Sequence, residues 1–204
     1  MKVKALIETV MGRILSVGAQ RSTDTRRDFL LQRMPERAVC AEIGVFRGNF
    51  SSRILEVTQP AELHLIDPWK FEDTQAYEGA RYGGRSGRNQ AHMDRFYRSV
   101  VARFKSEIAT RIVHIHRSSS AIAAEGFPDD YFDWIYIDGN HRYEFVKADL
   151  DGFYPKVKYG GYITGDDYGR QGWWDDGVTR AVDEFRTRCK TILIQSSQFI
   201  LQKT

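Results

Sequence analysis

Apolar positions recur along this chain in two rhythms. Val3, Leu6, Ile7, Val10, Ile14 and Leu15 fall on one face of an amphipathic helix. A second helix is expected after Ser22, with Phe29, Leu30, Leu31 and Met34 in its last turns and Pro35 ending it. Short apolar runs then alternate with helical stripes. Strands are expected at 38–43, 63–66, 112–115, 132–137 and from 161 to 164. Helices are expected at 51–57, across the stripe Met93, Phe96, Val100, Val101 and Phe104, and at 118–125, 143–154 and 178–189. Two further apolar runs, 191–194 and 199–201, lie close enough to form an antiparallel hairpin. Strands alternating with helices predict an α/β, doubly wound, mainly parallel sheet of seven strands ending in that hairpin.

A length of 204 residues suits one such domain, preceded by N-terminal helices over 1–35. One stretch breaks the alternation. Residues 69–90 are rich in glycine, arginine and tyrosine and leave the end of the second strand, where a long connection is usually functional. They are expected to act as a lid.

Charge and cysteine content narrow the function. A formal net charge of +3 is too small for a dedicated nucleic-acid binder. Cys40 and Cys189 have no CxxC partner, which excludes thiolate zinc and thioredoxin-like readings and fits a reducing compartment. No apolar run is long enough to span a membrane and no signal-peptide core follows Met1. A cytoplasmic protein is expected, and the amphipathic N-terminal helix offers a surface for a homo-oligomer.

The candidate chemistry lies at the strand ends. Glu42-Ile43-Gly44-Val45-Phe46-Arg47-Gly48 makes a tight strand-to-helix turn whose glycines let backbone approach a ligand. Its GxxxG spacing departs from the GxGxxG of nicotinamide-dependent oxidoreductases. Asp67 ends the second strand about 20 residues later, where an acid can accept the hydroxyls of a ribose. Asp138 and Asp166 each end a strand and Asp167 follows, so carboxylates gather on one edge. Three carboxylates without a Cys or His cluster favour a hard ion such as magnesium. His141, beside Asp138, offers a general base that needs no metal. Strand-surface or core roles are expected for His64, His114 and His116. Trp173 and Trp174 either cap a substrate pocket or pack on the terminal hairpin.

These motifs occur in an order that resembles class I S-adenosylmethionine-dependent methyltransferases, most closely the small-molecule branch that includes macrocin-type sugar O-methyltransferases. The resemblance runs from about residue 39 to 189, apart from the 69–90 loop. It rests on the Glu42 to Gly48 turn, Leu65-Ile66-Asp67-Pro68-Trp69, Asp138-Gly139-Asn140-His141-Arg142-Tyr143, and Gly160-Gly161-Tyr162 through Asp166-Asp167-Tyr168. It implies that S-adenosylmethionine binds at Glu42, Gly44, Gly48, Asp67, Asp138 and Ser118 or Ser119. Gly44 and Gly48 would border the methionine portion, Asp67 would hold the ribose and the serines would lie near the adenine. It further implies a divalent metal, usually magnesium, on Asp138, Asp166 and Asp167, with Asp138 also helping to deprotonate a small hydroxylated acceptor such as a sugar or phenol. Asn140-His141 departs from that branch's usual acidic pattern, which keeps a metal-independent route through His141 open. A non-catalytic cofactor-binding domain is the remaining alternative.

Overall fold

The computed structural model describes residues 25–77, 80, 82 and 88–204. The helix expected over Val3 to Leu15 lies outside the described residues. The described chain opens on helix α1 (Thr25–Leu31), followed by strand β1 (Val39–Ile43), α2 (Asn49–Thr58) and β2 (Glu62–Ile66). Then come α3 (Gln90–Arg103), α4 (Lys105–Ala109), β3 (Val113–His116), α5 (Ser120–Glu125), β4 (Phe132–Ile137) and α6 (Tyr143–Phe153). β5 (Val157–Gly165), α7 (Gly177–Phe185), β6 (Cys189–Gln195) and β7 (Gln198–Lys203) complete it. The seven strands form one sheet in the order β3-β2-β1-β4-β5-β7-β6, with β7 antiparallel to both β5 and β6. The expected architecture is therefore present. No described helix is long and apolar enough to cross a membrane.

Alternating strand positions feed two cores, one on each face. Ala41, Ile43, Ile135, Ile137 and Ile163 pack with α6 and α7 residues such as Leu150, Phe153 and Val182. Cys40, Leu63, Leu65, Trp134 and Tyr136 pack on the other face with Leu30, Phe50, Ile54 and Val100. Strands covered on both sides have to be apolar throughout, which is why they read as continuous runs. β5 is longer than expected because the pair Gly160-Gly161 interrupts its apolar pattern. A Cβ at Gly161 would come 2.7 Å from the Asp133 carbonyl oxygen, where the pairing with β4 shifts register.

Register decides where the site forms. Ile43 pairs with Ile66 on one side and Ile137 on the other, and Ile137 pairs with Gly165. Gly44, Asp67, Asp138 and Asp166 are each the next residue on a parallel strand, so they emerge at one level of the carboxyl edge. Their amides continue the ladder: Gly44 donates to Ile66, Asp138 to Ile43 and Asp166 to Ile137. From β1 the chain winds outward through β2 and β3 and then returns to β4. The crevice between β1 and β4 is thus the switch point at which doubly wound sheets bind ligands.

Candidate active site

Gly44 stands at that crevice with φ +94°. A Cβ here would lie 2.2 Å from the Asp138 carbonyl oxygen, so the position admits glycine on both conformational and packing grounds. Gly48 (φ +70°) caps α2, and a Cβ there would meet the Phe104 ring at 2.9 Å. Between the glycines the backbone folds over Asp67. One Asp67 oxygen accepts from the amides of Val45 and Phe46, both at 2.9 Å. Its other oxygen accepts from the Trp69 amide at 2.7 Å and from the Tyr82 hydroxyl. Burial pushes the Asp67 carboxyl above its ordinary range, against the pull of these donors. The Trp69 indole donates to the Phe46 carbonyl at 2.8 Å, and Gln90 donates to the Trp69 carbonyl at 2.8 Å. The two ends of the long loop are thereby tied down beside Asp67.

Glu42, on β1, is buried and accepts from the Ser51 hydroxyl. Burial pushes its carboxyl up to about 8. Ser119 caps α5 by accepting from the Ile122 amide, and Ser118 precedes it, two residues beyond the end of β3.

On the other side of the crevice stand the remaining acids. Asp138 Oδ2 pairs with Arg27 Nη1 at 2.9 Å, and Asp166 Oδ2 pairs with Arg27 Nη2. The second Asp166 oxygen accepts from the Asp167 amide at 2.7 Å and from the Gln198 side chain. His141 sits between Asp138 and Asp167. Its Nε2 is 3.3 Å from Asp138 Oδ1 and its Nδ1 is 3.3 Å from Asp167 Oδ2. Burial opposes a charge on this imidazole, but Asp138, Asp167 and Asp166 together outweigh it and raise its pKa. Nδ1 is buried and makes no hydrogen bond. The Trp174 ring meets His141 edge-on at 4.6 Å, and Trp173 packs on Trp174 and on Tyr77 of the long loop. The tryptophan pair therefore covers the acidic edge. Beside it opens a cleft of about 320 Å³ lined by Arg142, Tyr143, Glu144, Trp173 and Arg180.

The residues expected from the sequence thus fall into two groups. Glu42, Gly44, Gly48 and Asp67 surround the first turn. Asp138, His141 and Asp167 converge, each offering a ligand atom within 4.8 Å of the others. Asp166 is drawn away by Arg27 and Gln198. As a magnesium set the three aspartates do not fit, because the oxygens of Asp166 are occupied and a guanidinium fills the gap to Asp138. Four participants left no sequence signal: Arg27, Ser51, Tyr82 and Gln198. Arg27 reads as one more polar residue of a short helix, and its partners lie 111 and 139 positions away.

A seven-stranded sheet with a reversed last strand, carrying a glycine turn and an acid at successive strand ends, defines the class I S-adenosylmethionine-dependent methyltransferases. Residues 41–168 match the family model described as a methyltransferase domain, and the chain belongs to that family. No curated protein matches the chain. Solved structures share the fold. The O-methyltransferase NovP superposes with a TM-score of 0.57 at 21% identity, covering 88% of this chain and 80% of its own. The N-methyltransferase NodS from Bradyrhizobium japonicum gives 0.58 at 12% identity, covering 88% and 96%. A Burkholderia thailandensis 1,6-didemethyltoxoflavin-N1-methyltransferase, solved with S-adenosylhomocysteine bound, gives 0.56 at 11% identity, covering 99% and 86%.

Proposed function

We propose that this methyltransferase acts on a hydroxyl group of a small acceptor, a sugar or a phenol, with His141 as the base. The observation that carries the reading is the imidazole held between Asp138 and Asp167 at the ligand-binding edge. S-adenosylmethionine would be held at the 44–48 turn, with Asp67 to take its ribose hydroxyls and Ser118 and Ser119 near its adenine. Asp138 accepts a hydrogen bond from Nε2–H and orients the ring, leaving the unprotonated Nδ1, which faces Asp167, to take the acceptor proton once the acceptor enters between them. When bound, S-adenosylmethionine would supply an electrophilic methyl group: the acceptor oxygen would attack that carbon as the C–S bond breaks, its electrons staying on sulfur. The products are the methyl ether, S-adenosylhomocysteine and an imidazolium flanked by two carboxylates. Holding donor and acceptor in line supplies much of the rate. The net charge of +3 and the cleft beside Trp173 support a small acceptor over a nucleic acid.

Metal assistance is the second reading, favoured by the convergence of Asp138, His141 and Asp167. An ion there would polarise the acceptor oxygen. An imidazole that turns one nitrogen to each carboxylate, Nε2 to Asp138 and Nδ1 to Asp167, also suits proton sharing, the first of the two readings.

A panel of sugars and phenols, followed by pH profiles, tests the reading. His141→Ala is expected to lower kcat about a hundredfold or more while S-adenosylhomocysteine affinity holds. Neutral imidazole is the active form, so kcat/KM should fall as pH drops through a value above the ordinary 6.5. Asp138→Asn should move that limb to lower pH. A chelator should leave turnover unchanged. Loss of less than threefold in His141→Ala would remove the base assignment.

A further inference from the structure

Among the described residues, Arg27 is the cation that bridges Asp138 and Asp166. We propose that it is the permanent counterion of this carboxylate pair, standing where a divalent cation would otherwise bridge them. The inference takes its functional meaning from the reading of this edge as a methyl-transfer site and deepens it. Its physical content is ion binding and is tested as such.

The seat is built for a guanidinium. The fork places one nitrogen on each aspartate, a two-point geometry that suits arginine rather than a point charge. The planar group lies over the Phe50 ring at 4.8 Å and the Tyr136 ring at 5.5 Å, and both rings are buried. Such stacking adds to the ion pairing. The far side of Asp166 is closed by the Asp167 amide and by Gln198, whose own oxygen accepts from the Tyr136 hydroxyl at 2.8 Å. Magnesium needs near-octahedral oxygen ligands and sheds water reluctantly. Binding it between these acids requires expelling Arg27 and breaking the Gln198 contact as well. A tethered cation pays no association entropy, so the exchange favours the guanidinium.

The consequence for chemistry is specific. A guanidinium neutralises charge and donates hydrogen bonds but has no open coordination position for an acceptor oxygen. Activation of the hydroxyl therefore falls to His141 and Asp138. Arg27 acts through Asp138 and is a positioning residue.

Manganese binding to the full chain, followed by electron paramagnetic resonance without cofactor or acceptor, tests the proposal. Wild type is expected to show no binding that depends on Asp166. Arg27→Ala should bind one ion at least tenfold more tightly than wild type, and adding Asp166→Asn should abolish the gain. Arg27→Lys, which keeps the charge, should resemble wild type. Arg27→Met keeps the stem over Phe50 and carries the same expectation as Arg27→Ala if the alanine variant does not fold. Asp166-dependent binding in wild type as tight as in these variants would overturn the proposal, as would no gain in a variant with native circular dichroism. Because no acceptor enters the measurement, it can succeed or fail independently of O-methylation.

Discussion

Asp67 has no vacant oxygen: two backbone amides hold one, and the Trp69 amide and the Tyr82 hydroxyl hold the other. A ribose held by Asp67, as proposed, would have to take over the position of Tyr82, since the amides belong to the turn itself. Asp67→Ala should weaken S-adenosylhomocysteine roughly ten- to a hundredfold, the worth of a charge-assisted hydrogen-bonded pair. Tyr82→Phe removes the competitor and should tighten binding by about threefold to tenfold. Calorimetry on both variants checks the exchange, and equal weakening in the two would show Tyr82 supporting the ligand instead. At this scale, legibility followed distance along the chain. Asp67 and Asp138 stand out because each ends an apolar run and precedes proline or glycine. Tyr82 and Arg27 act through partners remote in sequence, and such contacts leave no local pattern.

At the scale of elements, the β1 turn is held by packing as much as by its ligand role. Alanine at Gly44 combines an unfavourable positive φ with a Cβ driven into the Asp138 carbonyl. The cost should be about 3 kcal/mol or more, because strands β1 and β4 must part to relieve it. Urea unfolding would measure it, and a loss below about 1 kcal/mol would mean the turn relaxes freely. Strands were the most legible elements, with ends within a few residues of expectation, because burial on both faces writes itself as an apolar run. Helix ends were less so. The helix expected to continue to Met34 stops at Leu31, though Met34 is buried all the same. α4 was not separable from the stripe before it, its five residues burying no side chain and so leaving no period to read.

Across the whole molecule, buried acids and histidines set opposing pH limits on stability. Glu42 is held near 8 against an ordinary 4.5, so the folded state keeps a proton that the unfolded state releases. Its contribution is complete below 4.5 and is lost as pH rises through about 8. His64, buried beside His114 and His116, is depressed by burial and by those rings to about 4 from 6.5. The unfolded state there binds the proton first, so stability falls as pH drops from 6.5 towards 4. Melting temperature should peak between these limits. Glu42→Gln should flatten the alkaline fall and His64→Phe the acid one, and unchanged profiles would remove both assignments. The order of the last three strands carries one more consequence. β6 touches the sheet only through β7, which arrives after it in the chain and separates it from β5. Until β7 pairs, the edge of β5 is therefore bare, β6 has no neighbour in the sheet, and Asp166 lacks Gln198. A chain interrupted before Gln198 would hold a sheet five strands wide with an unpaired border, its acidic edge open where Gln198 otherwise closes it.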